Sequence, residues 1–470
     1  MKVAIIGAGP AGLFLAYGLS SNSACDVTLY DKGKDLEDRS CPILLSNKAE
    51  KCANCYSCSI MEGVAGAGAF SDGKYNITTE FGGWLQHIMD PEKVIAYEDA
   101  AFNILHSYGA SAGAFWPNDE LKKLCLQHNL IMQQSKCIHL GTDANYGVML
   151  NMVNDLKSRP NVHLNANTEI IDCYHTSQGW IIQTIVPQDE HGPFDKVIFA
   201  VGRSGSSFFA DWCNKNHVEL SNRQVDIGVR VELPSEVWED FEKKIYEPKI
   251  LYKTKQYGDI VRMFCFNGRG EVVNENTDGV ITVNGHAYKE ESKKTKNTNF
   301  ALLSSIHFTE PFDQPIAYAK YTAGLANMVS GGSVIVQTLG DLKRGRRTDA
   351  SRLAKCTTKP SLKTAVPGDL SLCMPKRQLD NIIEMLDKLD EIAPGTANDD
   401  TLLYGIECKY YSARPQADEN FQLLASEKFN KLDNWELEGV YGIGDGAGFT
   451  RSLAQASAQG LMLANKLLDE

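Results

Sequence analysis

Four cysteines and a glycine-rich run lie close together in the first part of the chain, and their types and spacing could do chemistry. Cys41, Cys52, Cys55 and Cys58 lead into "GVAGAGAFSDGKYN", which starts at Gly63. C-x-x-C-x-x-C with a fourth cysteine nearby suits a zinc site or an iron–sulfur cluster, because four thiolates can close a tetrahedron. A thiol–disulfide redox role and plain unligated thiols remain open readings of the same residues. A second group suits a phosphate-bearing cofactor. Gly7, Gly9 and Gly12 form G-x-G-x-x-G, and Asp31 follows at about the distance where a carboxylate meets a ribose hydroxyl. His286, beside a glycine in "VNGHAY", is a candidate general acid or base. Arg230, in "GVRVE", could bind a substrate carboxylate or close an internal ion pair.

The elements that must position these groups are legible at both ends. "KVAII", residues 2–6, is a short apolar run that predicts a buried parallel strand. It enters "GAGPAG" and then "LFLAYGLSS", whose apolar spacing is helical. Gly7 permits the tight turn, and Gly9 lets the backbone approach a pyrophosphate. Gly12 lets helix and strand pack closely, while Pro10 and Ala11 open a helix whose N-terminus faces the phosphate. A second strand, "CDVTLYD", ends at Asp31 with Lys32 after it. The far end, "LEGVYGIGDGAGFTRSLAQASAQGLMLANKLL", predicts a strand, a turn of Gly444, Asp445 and Gly446, and a long helix entered through Ser452 and Leu453. A carboxylate in that turn can accept hydrogen bonds from a polyol chain, and the helix start offers amides to an anion.

This pairing of an N-terminal fingerprint with a C-terminal "GD" turn resembles the flavoproteins of the glutathione-reductase type. A third stretch, "FDKVIFAVGRSG" at 194–205, is similar to their strand ending in A-x-G, here Ala200, Val201 and Gly202. The resemblance implies FAD. No second complete G-x-G-x-x-G occurs, so NAD(P)H is expected at most as a transient visitor. In proteins of that type the segment after the Asp31 strand returns to the flavin ring. The likeness therefore implies a wall of Gly66, Gly68, Ala69, Phe70, Ser71 and Asp72, with Lys74 as a candidate acid or base. A cluster in the cysteine loop would then pass single electrons to a cofactor that can hold one or two.

Over nearly its whole length the chain resembles a bacterial and archaeal family of largely uncharacterised FAD-dependent dehydrogenases. The cysteine run carries part of that likeness. "DIGVRVELP" from 226, "GEVVNENTDGVITVNGHAY" from 270, "LGDLKRGRRTDASRL" from 339 and "DDTLLYGIECKYYSARP" from 399 carry more. In similar flavoenzymes, substrate-pocket residues often sit in the connection returning to the FAD domain. That implies Tyr411 as a candidate acid or base and Arg414 as a substrate-binding residue.

The expected fold is α/β: a discontinuous Rossmann-type FAD-binding domain, residues 1–210 and 405–470, around a mainly antiparallel β (α+β) substrate domain at 211–404. The 470 residues suffice for two real cores. A net charge of −12 weighs against a nucleic-acid or anionic-membrane surface, and so against an RNA-modifying flavoenzyme. No apolar run reaches the ~20 residues of a spanning helix, and "MKVAIIGAGPAG" lacks a signal core, so a cytoplasmic protein is expected. The function expected is transfer of hydride or electrons between FAD and a small organic molecule, with an anionic one among the candidates. A flavin monooxygenase and a non-catalytic electron-transfer flavoprotein with a protein partner are the alternatives.

Overall fold

The computed structural model describes residues 1–42, 55–221, 224–277, 279–288, 290–309, 311–312, 314–426 and 437–469. The chain divides into two compact units. The first comprises 1–114, 135–221 and 412–470, and the second comprises 115–134 and 222–411.

In the first unit, the apolar runs read as strands do form a parallel sheet. Its five strands stand in the order Val440–Gly442, Lys196–Phe199, Lys2–Ile6, Asp26–Tyr30 and Val162–Asn165. All neighbours are parallel, with Ile6 opposite both Tyr30 and Phe199. Val3, Ala4 and Ile5 are fully buried, as expected for a strand covered on both faces. The helix Pro10–Leu19 packs against the terminal helix Leu453–Asp469, and small residues set how closely. A Cβ on Gly460 would lie 2.3 Å from the Ala11 carbonyl oxygen, and one on Gly18 would lie 2.4 Å from the Ala464 Cβ. A three-stranded antiparallel meander, Glu169–Thr176, Gly179–Val186 and Gln188–Phe194, fills the chain between Val162–Asn165 and Lys196–Phe199.

The second unit is built on an eight-stranded sheet. The order is Val366–Pro367, Ile335–Thr338, Leu402–Lys409, Gln224–Pro234, Asn297–His307, Ile260–Asn267, Lys249–Lys253 and Ile131–Gln133. All its pairings are antiparallel except that of the first two strands. Period-two alternation along Gln224–Pro234 sends Val225, Ile227, Val229, Val231 and Leu233 into an apolar core. The helix Lys376–Asp390 joins that core through Leu379, Ile382, Met385, Leu386 and Leu389. The alternate positions, Asp226, Arg230 and Glu232, are polar yet fully buried.

The boundaries differ from the sequence expectation in three places, the first being that residues 211–221 belong to the first unit. Strand Leu402–Lys409 pairs with Gln224–Pro234 and Ile335–Thr338, so the second unit runs on to Tyr411 instead of ending at 404. The excursion 115–134 also belongs to it, because Ile131–Gln133 adds an edge strand to Lys249–Lys253.

Candidate cofactor site

The first turn of the Rossmann sheet is made by glycines that no other residue could replace without movement. Gly7 has φ +108°, and a Cβ there would stand 2.3 Å from the Ala200 carbonyl oxygen. Gly12 is equally confined, with a virtual Cβ 2.1 Å from the Gly7 carbonyl oxygen. Gly9 is different: its nearest neighbour would be Gly66 Cα at 3.9 Å, so it leaves space. It is also the N-cap of Pro10–Leu19 and offers no side chain to the helix amides. Pro10 has no N–H, and the amides of Ala11 and Gly12 have no acceptor within the helix. An uncapped helix start facing free space is where an anionic phosphate is stabilised.

That space is a cleft of about 530 Å³, and every residue lining it belongs to the first unit. Gly7, Gly9, Pro10, Ala11, Asp31, Lys32, Gly66, Gly68 and Ser71 line it, as do Ala200, Val201, Gly202, Gly444, Asp445, Ser452 and Leu453. Five other expected residues are absent from the lining. Gly12 holds the strand–helix contact, and Gly446 presses on the Gly202 carbonyl, 2.4 Å from its virtual Cβ. Ala69 is fully buried, Phe70 stacks on Tyr146, and Asp72 pairs with Lys74 at 3.1 Å.

Two of the cleft's carboxylates follow strands on either side of Lys2–Ile6: Asp31 after Asp26–Tyr30 and Asp445 after Val440–Gly442. Asp31 accepts from Ala8 N–H at 3.0 Å through Oδ2 and from Gly33 N–H at 2.9 Å through Oδ1. Burial pushes its carboxyl above the ordinary range, while those two amides and Arg39 pull the other way. Asp445 accepts from the Thr450 hydroxyl at 2.9 Å and faces Arg203 at 3.4 Å. Burial likewise raises its carboxyl, opposed mainly by Arg203. Each carboxylate oxygen has two lone-pair directions, so both groups keep acceptor capacity for ligand hydroxyls.

Arg39, which no spacing rule pointed to, holds the wall. Its guanidinium donates to four main-chain carbonyls: Ser59 at 2.9 Å, Ile60 at 2.8 Å, Val64 at 2.7 Å and Gly66 at 2.8 Å. Only 5% of Arg39 is exposed, and it lies over the Phe70 ring at 4.7 Å. Burial lowers its pKa to about 10, against the pull of Asp31 and other nearby groups. Ala65 N–H then ties the wall to the Ala8 carbonyl at 2.8 Å. The Asn145 side chain holds the next turn through the Gly68 carbonyl at 2.7 Å. Lys32 and Glu62 close the rim as an ion pair at 2.8 Å.

The remaining expected site residues are dispersed. Lys74 is mostly buried beside Asp72. His286 is exposed at the end of a hairpin in the second unit, edge-on to Tyr288 at 4.7 Å. Tyr411 is buried in the second unit, where its hydroxyl bonds Asp226 and Arg262. Arg230 corrects the substrate reading made from its strand position. Its five N–H groups go to Glu407, Asn284, Asn299 and the Cys265 carbonyl, and Arg230 and Glu407 have no exposed side-chain surface. Of the two alternatives, the geometry is that of the internal ion pair. Arg414 is half-buried in the first unit, against Trp84 and Phe449.

The cysteine reading is met only in part by described residues. Cys41 and Cys58 are half-buried and Cys55 is exposed, all as free thiols, while Cys52 lies outside the described residues. Among the described residues no three His, Cys, Asp or Glu side chains are grouped to hold a metal ion, so a zinc or iron–sulfur site has no support here. Nor, among them, is any helix long and apolar enough to cross a membrane.

Comparison with known proteins gives two family matches. Residues 224–410 match the family described as FAD-dependent protein, C-terminal domain-like, and residues 5–36 match the NAD(P)-binding Rossmann-like domain. An uncharacterized protein of Clostridium beijerinckii is 25% identical over 485 aligned positions, covering 99% of this chain and 80% of its own length. Among solved structures, an E. coli quinol fumarate reductase shares 10% identity at a TM-score of 0.40, with 100% of this chain and 70% of that one covered. The glycine oxidase of Geobacillus kaustophilus shares 11% at 0.40, with 100% and 95% covered. The first unit thus joins a cofactor-sized cleft to a Rossmann-like match, and the second carries the segment that matches the FAD-dependent protein, C-terminal domain-like family.

Proposed function

We propose that this chain transfers a hydride or an electron pair between bound FAD and a small organic molecule, as a dehydrogenase or reductase. The observation that carries the reading is one cleft lined by an uncapped helix start, by Asp31 and by Asp445. When bound, FAD supplies the redox chemistry, and the protein supplies binding, orientation and electrostatics. The residues present fit it. The open side of Gly9 and the uncapped amides of Ala11 and Gly12 would take the pyrophosphate. Asp31 would accept from the adenosine ribose, and Asp445 from the ribityl chain. The wall 61–71, clamped by Arg39, would lie along the cofactor and keep water from it. Ser452 receives the Gln455 N–H at 3.1 Å and so fixes the start of the terminal helix beside Asp445.

A small-molecule substrate, a cytoplasmic location and the absence of a nucleic-acid partner belong to the same proposal, supported by the net charge of −12. A metal at Cys41, Cys52, Cys55 and Cys58 rests on the sequence pattern alone and is decided by iron, sulfide and zinc assays. The test of the main reading is anaerobic. The holoenzyme is mixed with panels of small organic acids, alcohols and amines, and separately with NADH and NADPH, while the flavin absorbance is followed. Bleaching by one compound class is expected. A flavin that dithionite reduces but no compound does would point instead to an electron-transfer flavoprotein.

A further inference from the structure

Arg414 stands on a two-residue strand, Arg414–Pro415, paired with Leu220–Ser221. Its guanidinium carbon lies 5.0 Å from the Trp84 ring centre and 5.6 Å from that of Phe449. Nε donates to the Gly448 carbonyl oxygen at 3.2 Å. The two terminal nitrogens have no hydrogen-bond or ion-pair partner among the described residues, so four N–H donors are uncommitted. The other inward arginines differ. Arg39 is spent on carbonyls, Arg230 on Glu407, and Arg159 on Asp155. Arg414 alone among these four has its fork uncommitted. Desolvation lowers its pKa, as for a cation removed from water without a counter-charge.

The arginine is also fixed to the cofactor turn. Gly448, which receives its Nε–H, donates its own N–H to the carbonyl of Asp445, and Asp445 lines the cleft. Thr450 in the same turn bonds Asp445, and Trp84 N–H donates to the Phe449 carbonyl at 2.9 Å. The aromatic contacts and the Gly448 bond therefore hold the fork at a set position relative to Asp445.

We propose that Arg414 is a substrate-binding fork that takes the carboxylate of a small organic acid end-on through its two terminal nitrogens. This rests on the flavoenzyme reading above and names its substrate class. The chemistry favours a carboxylate. A planar guanidinium edge matches the two oxygens of one carboxylate. One positive charge balances one negative charge, and the Trp84 and Phe449 rings leave little hydration for a phosphate dianion. A carboxylate would also give this desolvated cation the partner that the fold does not provide.

The experiment uses the purified holoenzyme in its oxidised state, with acetate and benzoate as probes and acetamide and benzamide as neutral controls at constant ionic strength. The flavin difference spectrum is recorded at each addition. Saturable perturbation by the acids and none by the amides is expected. Arg414→Met should weaken the acids at least about tenfold, and Arg414→Lys, which keeps the charge but loses the fork, should fall between. Equal binding of acids and amides by the wild type would overturn the proposal without any variant. So would Arg414→Met binding the acids as tightly as the wild type, or no perturbation by either acid. Failure of the underlying reading looks different, because the purified protein would then show no flavin absorbance. Benzoate calorimetry on the wild type and Arg414→Lys would in that case still decide the fork.

Discussion

The two units treat buried charge in opposite ways. In the first, the cleft groups are left partly unspent: Asp31 and Asp445 each receive hydrogen bonds yet keep lone pairs, and the helix at Pro10 starts uncapped. In the second, the polar face of strand Gln224–Pro234 is saturated from within. Arg230 is closed by Glu407, and Asp226 by Arg262 and Tyr411. Tyr404 and Asn297 close Glu232 in the same way. Spare hydrogen-bonding capacity marks where a ligand belongs, whereas a satisfied network marks a fold holding itself together. Buried arginine is therefore not a functional sign by itself; what its donors meet decides.

The comparison can be broken most forcefully at Gly7. Gly7→Ala puts a Cβ against the Ala200 carbonyl at a φ of +108°. FAD affinity is expected to fall by about a hundredfold or more, read by flavin fluorescence titration. Near-wild-type binding would mean that this turn does not carry the cofactor.

Arg230→Met tests the opposite unit. It leaves Glu407 with Lys409 at 3.7 Å in place of the two-point arginine bond and should cost about 3 kcal/mol in urea unfolding, with FAD affinity of the folded protein kept within about twofold. Adding Glu407→Leu should return most of the loss. A large change in FAD affinity without lost stability would move Arg230 into the ligand-binding class.

A smaller effect sharpens the contrast between the two buried arginines. Arg39→Lys cannot span four carbonyls with one nitrogen, so FAD should bind about tenfold more weakly while the far-ultraviolet circular dichroism is unchanged.

The smallest effect concerns Glu98, which is 1% exposed and accepts from Thr78 N–H at 2.7 Å. Burial pushes its carboxyl up to about 8. Because the folded-state value is raised, its contribution is complete below the unfolded value of about 4.3 and is lost as pH climbs through the folded one. Glu98→Gln should flatten the fall in Tm of the cofactor-free protein from acid toward alkaline pH. Parallel Tm profiles for the two proteins would contradict that assignment.

What the sequence disclosed follows from the range of the forces involved. Gly7, Gly9 and Gly12 act through backbone sterics within a few residues, so their spacing alone announced them. Asp445 was legible for the same reason, in a local glycine turn before a helix. Arg39 reaches carbonyls 20 to 27 residues away, and no periodicity links a side chain to a distant main chain. Arg230 and Glu407 are 177 residues apart, so only the strand register could separate ion pair from substrate group. The excursion 115–134 was missed because its membership depends on Ile131–Gln133 finding the edge strand Lys249–Lys253.

The most direct test of the account is the identity of the released cofactor. Protein reconstituted with mixed FAD, FMN and NAD, then freed of excess and denatured, is analysed by chromatography for what it retained. The cofactor-binding roles proposed for Asp31 and Asp445 predict FAD at one per chain, with neither of the others retained. Retention of FMN or NAD in its place, or of no nucleotide, would contradict it.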